Sequence, residues 1–146
     1  MELGFISMIV GQKLVTDTIS TTTSSIYSLL GAPALNNASL QQYFIELDIQ
    51  SKCECIEAIY QEIDKNMPNN TSDAIKCCLD SVHQMVLSIH EILHKIQTKV
   101  EEHPQKWFHK FRSYDITSEL QRLTSYVKAL DGRTDLLCKT IRLFQK

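Results

Sequence analysis

The chain has no marked excess of either charge: 15 lysines and arginines stand against 17 aspartates and glutamates, a net charge of −2. That balance supplies neither the basic field that nucleic acid requires nor strong attraction to an acidic membrane surface, so nucleic acid is not expected as a partner. Strand-type alternation, internal repeats and a Gly-rich phosphate loop are also missing. Their absence removes a β-sheet and the common nucleotide-binding motifs from the expectations. A membrane-length apolar run is lacking as well. The apolar start, MELGFISMIVGQKLV, carries Glu2, has no basic leader and meets Lys13 and Asp17 well short of a span, so neither a signal peptide nor a transmembrane helix is expected. The five cysteines, Cys53, Cys55, Cys77, Cys78 and Cys138, are odd in number and include no CxxC pair. Two pairs lie too close in sequence to staple a fold, which points to free thiols in a reducing cytoplasm. Without secretion, Asn37 and Asn69 in their sequons are ordinary surface asparagines.

What is present is helical periodicity. At 146 residues the chain is of one-domain size, able to bury a core without disulfides or metal, and residues 1–146 are expected to form one domain. Turn-forming residues gather at three places: Gly31-Ala32-Pro33 with Asn36-Asn37, Met67-Pro68-Asn69-Asn70, and His103-Pro104 onward to Ser113. They cut the chain into four long segments. In the third, Ile75, Leu79, Val82, Val86, Ile89, Leu93, Ile96 and Val100 alternate steps of four and three, the signature of a helix with one apolar seam. The fourth repeats the pattern from Ile116 through Leu123, Leu130 and Leu137 to Phe144, with Thr134 as its polar intruder. Gly132 lies off that seam, so the helix is expected to run through it at a cost of about 1 kcal/mol. In the second, Ile45, Ile49, Cys53, Ile56, Tyr60, Ile63 and Met67 keep the same step, and Ser39 with Gln42 has capping-box spacing. The extra apolar residues Phe44, Leu47 and Ile59 widen its stripe, as suits a helix with two neighbours. The first segment offers Leu3, Ile6, Val10, Ile19, Ile26 and Leu30, but Ser20 to Ser25 is poor in helix formers and is compatible with close packing or with a flexible joint.

The expected fold is all-α: an antiparallel up-down four-helix bundle without a sheet, with helices at about 4–30, 39–66, 72–102 and 115–145 and an aromatic and basic connector at 103–114. Rods of this length would be on the order of 40 Å long.

Two stretches carry chemistry. His90-Glu91-Ile92-Leu93-His94 is an HExxH, which on a helix sets two imidazoles one turn apart, able to share a zinc ion whose water the glutamate polarises. His103 follows nine residues beyond His94 and leads into Trp107-Phe108. Over residues 90–108 this resembles the minimal zinc peptidases of the SprT group. The resemblance implies zinc as cofactor, His90, His94 and His103 as ligands, and Glu91 as general base. Read from packing instead, His90 and His94 flank the Ile89 and Leu93 seam and Glu91 is solvated. An unbroken helix to about residue 102 would also leave His103 on the order of 12 Å along the axis from His94, too far to share a metal. A di-iron arrangement would need Glu-x-x-His on two helices, whereas Glu91-His94 and Asp80-His83 lie on one. The packing reading is therefore the one adopted, with no cofactor and zinc as the alternative.

The second stretch is the connector. There Lys106, Trp107, Phe108, Lys110, Phe111 and Arg112 interleave cations with aromatic rings, the best candidate partner-binding surface in the sequence. The competing reading has Trp107 and Phe111 closing the end of the core.

The segments Leu47-Asp48-Ile49-Gln50-Ser51-Lys52, Ile56-Glu57, and His103 with Trp107-Phe108 and Arg112 resemble parts of small all-helical proteins encoded by large nucleocytoplasmic DNA viruses. That resemblance implies a virion or infected-cell cytoplasmic protein and no catalytic residue. A helix spanning Leu3 to Leu30 ahead of a bundle is also similar in arrangement to HeLo and MLKL killer domains, which implies membrane contact through residues 1–30. The function expected is that of a non-catalytic bundle working through protein contacts or self-association, a viral structural or accessory protein. The alternatives are a zinc-dependent hydrolase and a membrane-active bundle.

Overall fold

The computed structural model of the chain describes residues 12–66, 72–102 and 116–144, with side chains from residue 17 onward. Among the described residues there is no strand. The elements are α1 (Gln12–Leu30), a 3-10 turn (Pro33–Leu35), α2 (Ala38–Leu47), α3 (Ile49–Asn66), α4 (Asp73–Glu102) and α5 (Thr117–Phe144). With α2 and α3 as one interrupted rod, these form the up-down four-helix bundle that the periodicity predicts.

Side-chain bonds fix the directions. From α4 to α5, Lys99 Nζ reaches Glu119 Oε2 at 2.8 Å, Arg133 donates to the Ser81 carbonyl at 2.9 Å, and the Cys78 thiol donates to Thr140 Oγ1 at 3.6 Å. Residue numbers fall on one helix as they rise on the other, so the pair is antiparallel. From α2 and α3 to α5, Tyr43 pairs with the Leu120 carbonyl and Thr124, and Lys52 with Asp131, at sequence separations of 77, 81 and 79. That near-constant offset makes the interrupted rod parallel to α5. Tyr27 on α1 donates to Glu57 on α3, and α1 packs against both α3 and α4. Neighbours around the bundle therefore run α1, α3, α5, α4.

The core is the expected seam. Ile75, Leu79, Val82, Val86, Ile89, Leu93, Ile96 and Val100 of α4 are all buried. Burying each such side chain contributes about 1.5–3 kcal/mol before conformational entropy is charged against it. In α1, the hydroxyl-rich stretch packs closely rather than forming a joint: Thr23 is fully buried, and Thr22 and Thr23 turn their hydroxyls back to the carbonyls of Thr18 and Ser20 at 3.1 Å. Those internal bonds satisfy hydroxyls that would otherwise oppose burial. Gly132 lies inside an unbroken α5, as expected.

Three expectations are corrected. The helix expected at 39–66 is broken at Asp48, a left-handed residue with φ 58° whose N–H bonds to the carbonyls of both Phe44 and Ile45. The extra turn shifts the phase of the apolar stripe, so Leu40 and Phe44 face the core while Ile45, expected in the seam, is 67% exposed. The start of α2 is capped by Asn37, whose Oδ1 accepts from Leu40 N at 2.9 Å, in place of the Ser39 and Gln42 box. At the other end of the chain Phe144, expected to close the seam of α5, is half exposed. Leu3, Ile6 and Val10, Met67, and the connector at 103–114 lie outside the described residues.

Candidate functional site

The HExxH occupies the middle of α4, whose N-terminus is set by Ser72 Oγ accepting from Ile75 N at 3.2 Å. Helical spacing brings His90 and His94 together as anticipated: their rings stack with centroids 6.5 Å apart and planes 25° from parallel. His90 is half-buried, whereas Glu91 and His94 are exposed, the flanking positions that packing alone would give them. His103 lies outside the described residues. Among the described residues no three histidine, cysteine or carboxylate side chains gather closely enough to hold a metal ion. His83, two turns before His90, is half-buried with Nε2 out of reach of water and of any hydrogen-bond partner. Burial lowers its pKa below the usual histidine value, and the charge of Asp80 opposes that shift only in part. The ring is thereby held neutral at neutral pH.

The polar centre of the bundle lies elsewhere, where α4 meets the first turn of α5. Glu119 is 5% exposed, and its carboxylate takes the Lys99 ammonium on Oε2, while Oε1 is buried with no hydrogen-bond partner. Desolvation pushes this carboxyl upward. The Lys99 hydrogen bond, the backbone N–H of Glu119 and the charges of Lys99 and Lys95 outweigh it, so the net pKa lies below the ordinary glutamate value. Periodicity passed over Glu119 because it stands outside the apolar step. The signal that finds it is an acidic residue in the first turn of a helix, where the dipole favours negative charge. The pair ties α4 to α5.

The thiols are free throughout: Cys53 buried, Cys78 and Cys138 half-buried, Cys55 and Cys77 exposed. Burial, with Glu57 and Glu54 nearby, pushes the Cys53 thiol up to about 12, which makes it inert at neutral pH.

Two surfaces stay apolar where a closed bundle would be polar. One is the outer face of α5, where Leu136 is 57% and Leu143 72% exposed. Leu136 and Leu143 are seven residues apart and so share one line of the helix. Gly132 extends that face upward and adds no bulk, with nothing within 4 Å of where a Cβ would stand. The other is the seam between α3 and α5. Their backbones seldom approach within 8 Å, and two hollows open between them. The upper, about 340 Å³, runs from Asp48, Ser51 and Cys55 to Thr134, Asp135 and Cys138. The lower, about 320 Å³, runs from Ala58, Ile59 and Glu62 to Cys138 and Ile141. Lys106, Trp107, Phe108, Lys110, Phe111 and Arg112, the partner-binding residues expected from sequence, lie outside the described residues. No helix among the described residues is long and apolar enough to cross a membrane.

No family model matches the chain, and no solved structure matches it. Among curated proteins it is similar to the uncharacterized protein L717 of Acanthamoeba polyphaga mimivirus, with 32% identity over 78 residues, 53% of this chain and 38% of that protein. The chain thus covers well under half of the viral protein's length, and over about half of its own it resembles a protein of a large nucleocytoplasmic DNA virus.

Proposed function

We propose that the chain is a non-catalytic helical bundle that acts through protein contacts, copies of itself included, as a structural or accessory protein of a large DNA virus or its host cell. The observation that carries this reading is the uncovered face of α5. Leu136 and Leu143, on one line of the helix, are each more than half exposed, and exposed apolar faces of this kind mark association surfaces. The similarity to a mimivirus protein supports the viral setting, and five free thiols suit a reducing cytoplasm or a virion assembled in one.

Sedimentation of the purified chain and of Leu136→Lys/Leu143→Lys tests the reading. Association that rises with concentration in the parent and is abolished in the double variant, with an unchanged melting temperature, is the expected result. A parent that stays strictly monomeric at high concentration contradicts self-association. The zinc-hydrolase alternative draws on the stacked His90 and His94 rings. Stoichiometric zinc in untagged protein, lost in His90→Ala, would replace the scaffold reading by that one.

A further inference from the structure

We propose that the chain associates head to tail: the basic, leucine-bearing face of α5 in one copy docks on an acidic elbow at the α2–α3 break of a second copy. This deepens the protein-contact reading and rests on it.

The elbow follows from the backbone. The left-handed turn at Asp48 leaves Ile45 67% exposed. Beside it opens a hollow of about 290 Å³ that reaches down to the buried Leu30, Phe44 and Ile49. Asp48 and Glu54 border this hollow, Glu46 follows Ile45, and all three carboxylates are exposed. Glu46 accepts from the amide of Gln42 at 3.1 Å and Glu54 from that of Gln50 at 3.3 Å. Those partners are neutral, so the negative charges persist. No lysine or arginine lines the hollow, and Lys52, one turn on from Asp48, is held by Asp131 with Nζ 2.8 Å from both carboxylate oxygens.

The α5 face carries the opposite sign. Arg133 stands one turn before Leu136 and Arg142 adjoins Leu143, both exposed. Arg133 donates to a neutral carbonyl, that of Ser81, so its charge is not cancelled. Lys139, between the two leucines, pairs with Asp135 at 2.9 Å and adds no net charge. The two faces cannot meet within one molecule. Tyr43, two residues before Ile45, pairs with Thr124, which sets the elbow level with the first half of α5, whereas Leu136 and Leu143 lie about 18 and 28 Å farther along that helix at 1.5 Å per residue. Neither face suits its own duplicate: two elbows would oppose carboxylates and two stripes would oppose guanidinium groups. A second copy supplies the missing half of each. Because the faces differ and lie toward opposite ends of the bundle, the contact is heterologous, and each added copy leaves one elbow and one stripe free unless a ring closes.

Sedimentation velocity of the full chain and of two variants, one for each face, tests this. The elbow variant is Glu46→Lys/Glu54→Lys and the stripe variant is Leu136→Lys/Leu143→Lys, all at exposed positions; Ile45→Lys takes the place of the elbow variant if that one fails to fold. The parent is expected to form species beyond a dimer as concentration rises, with affinity falling about tenfold or more between about 50 and about 500 mM salt. Each variant alone is expected to stay monomeric. An equimolar mixture of the two should yield a dimer and nothing larger, since one intact elbow then meets one intact stripe. The proposal is overturned if the elbow variant associates as the parent does, if the mixture yields no dimer, or if salt leaves the association unchanged. In the first case, with the stripe variant monomeric, α5 pairs with itself: the protein-contact reading stands and only the head-to-tail contact falls. A parent that stays monomeric overturns the proposal and the self-association reading together, and its flotation with phosphatidylserine vesicles would then assign the α5 face to a lipid surface.

Discussion

Replacing Lys99 by methionine removes the ammonium that faces Glu119, the one charged residue buried among the described residues. Methionine keeps the aliphatic stem, so the loss is the ammonium 2.8 Å from Glu119 Oε2. Breaking a buried pair from one side costs about 3–5 kcal/mol when the remaining charge has nowhere to go. Glu119 has an escape, since it can take up a proton. At pH 7 that costs about 1.4 kcal/mol for each unit above the unfolded carboxyl value near 4.3, which caps the penalty at about 4 kcal/mol. Lys95 and the Glu119 backbone N–H still favour the anion, so about 2–3 kcal/mol at pH 7 is expected. The sign of the pH dependence follows. In the parent, the folded pKa of Glu119 lies below its unfolded value, so its contribution is present above about pH 4.5 and is lost as pH falls through the folded value. In Lys99→Met the folded pKa rises, so the penalty of the variant relative to the parent grows with pH between about 4 and 7. Urea unfolding followed by circular dichroism at pH 4, 5.5 and 7 measures this. Glu119→Leu and the double variant complete the cycle, and the double is expected to recover about half of the single loss or more, because neither charge is then stranded. A penalty that is flat across the pH range, or single-variant losses that add to within about 0.5 kcal/mol, would refute the coupling.

Three further outcomes follow from the backbone and the thiols. Gly132→Ala should raise stability by about 1 kcal/mol, or a few degrees in melting temperature, because the position is mid-helix and a Cβ there meets nothing within 4 Å; a lower melting temperature would mean that α5 is not continuous there. Asp48→Gly should be neutral or stabilising by up to about 1 kcal/mol and Asp48→Val destabilising by about 1–2 kcal/mol, since only glycine relieves a φ of 58°; equal melting points for the two would remove the left-handed break. Timed alkylation read by peptide mass spectrometry should modify Cys55 and Cys77 first and Cys53 last, given its burial and a pKa near 12; early labelling of Cys53 would place α3 in another orientation.

The seams of α4 and α5 were legible because each is an uninterrupted run of large aliphatic residues at helical spacing, a pattern with one burial solution. The break at Asp48 was not. Ile45 completes a flawless four-residue step to Ile49, and neither glycine nor proline marks the turn, so local pattern favours a helix that tertiary packing divides. The Lys99–Glu119 pair was hidden for a different reason. Its partners are 20 residues apart, on either side of the connector, and only the antiparallel register of α4 and α5 brings them together. The HExxH illustrates the converse. Five residues displayed the spacing of a metal motif, yet the placement of His90 at a half-buried flank and of Glu91 and His94 in solvent is what the Ile89 and Leu93 seam already requires of their neighbours.

The unequal sides of the bundle trace to side-chain size. Where α5 meets α4, the facing residues include Ile75, Leu79, Leu123 and Leu137, all essentially buried, and the helices close tightly. Where α5 meets α3, the borders of the hollows include Ser51, Cys55 and Ala58 on one helix and Thr134 and Cys138 on the other. Small residues opposite one another at this offset cannot fill the space between parallel rods about 10 Å apart, so the seam stays open although Lys52–Asp131 and Tyr43–Thr124 hold its upper part in register. Large residues at these positions would have closed the gap and stabilised the isolated chain by burying more apolar area.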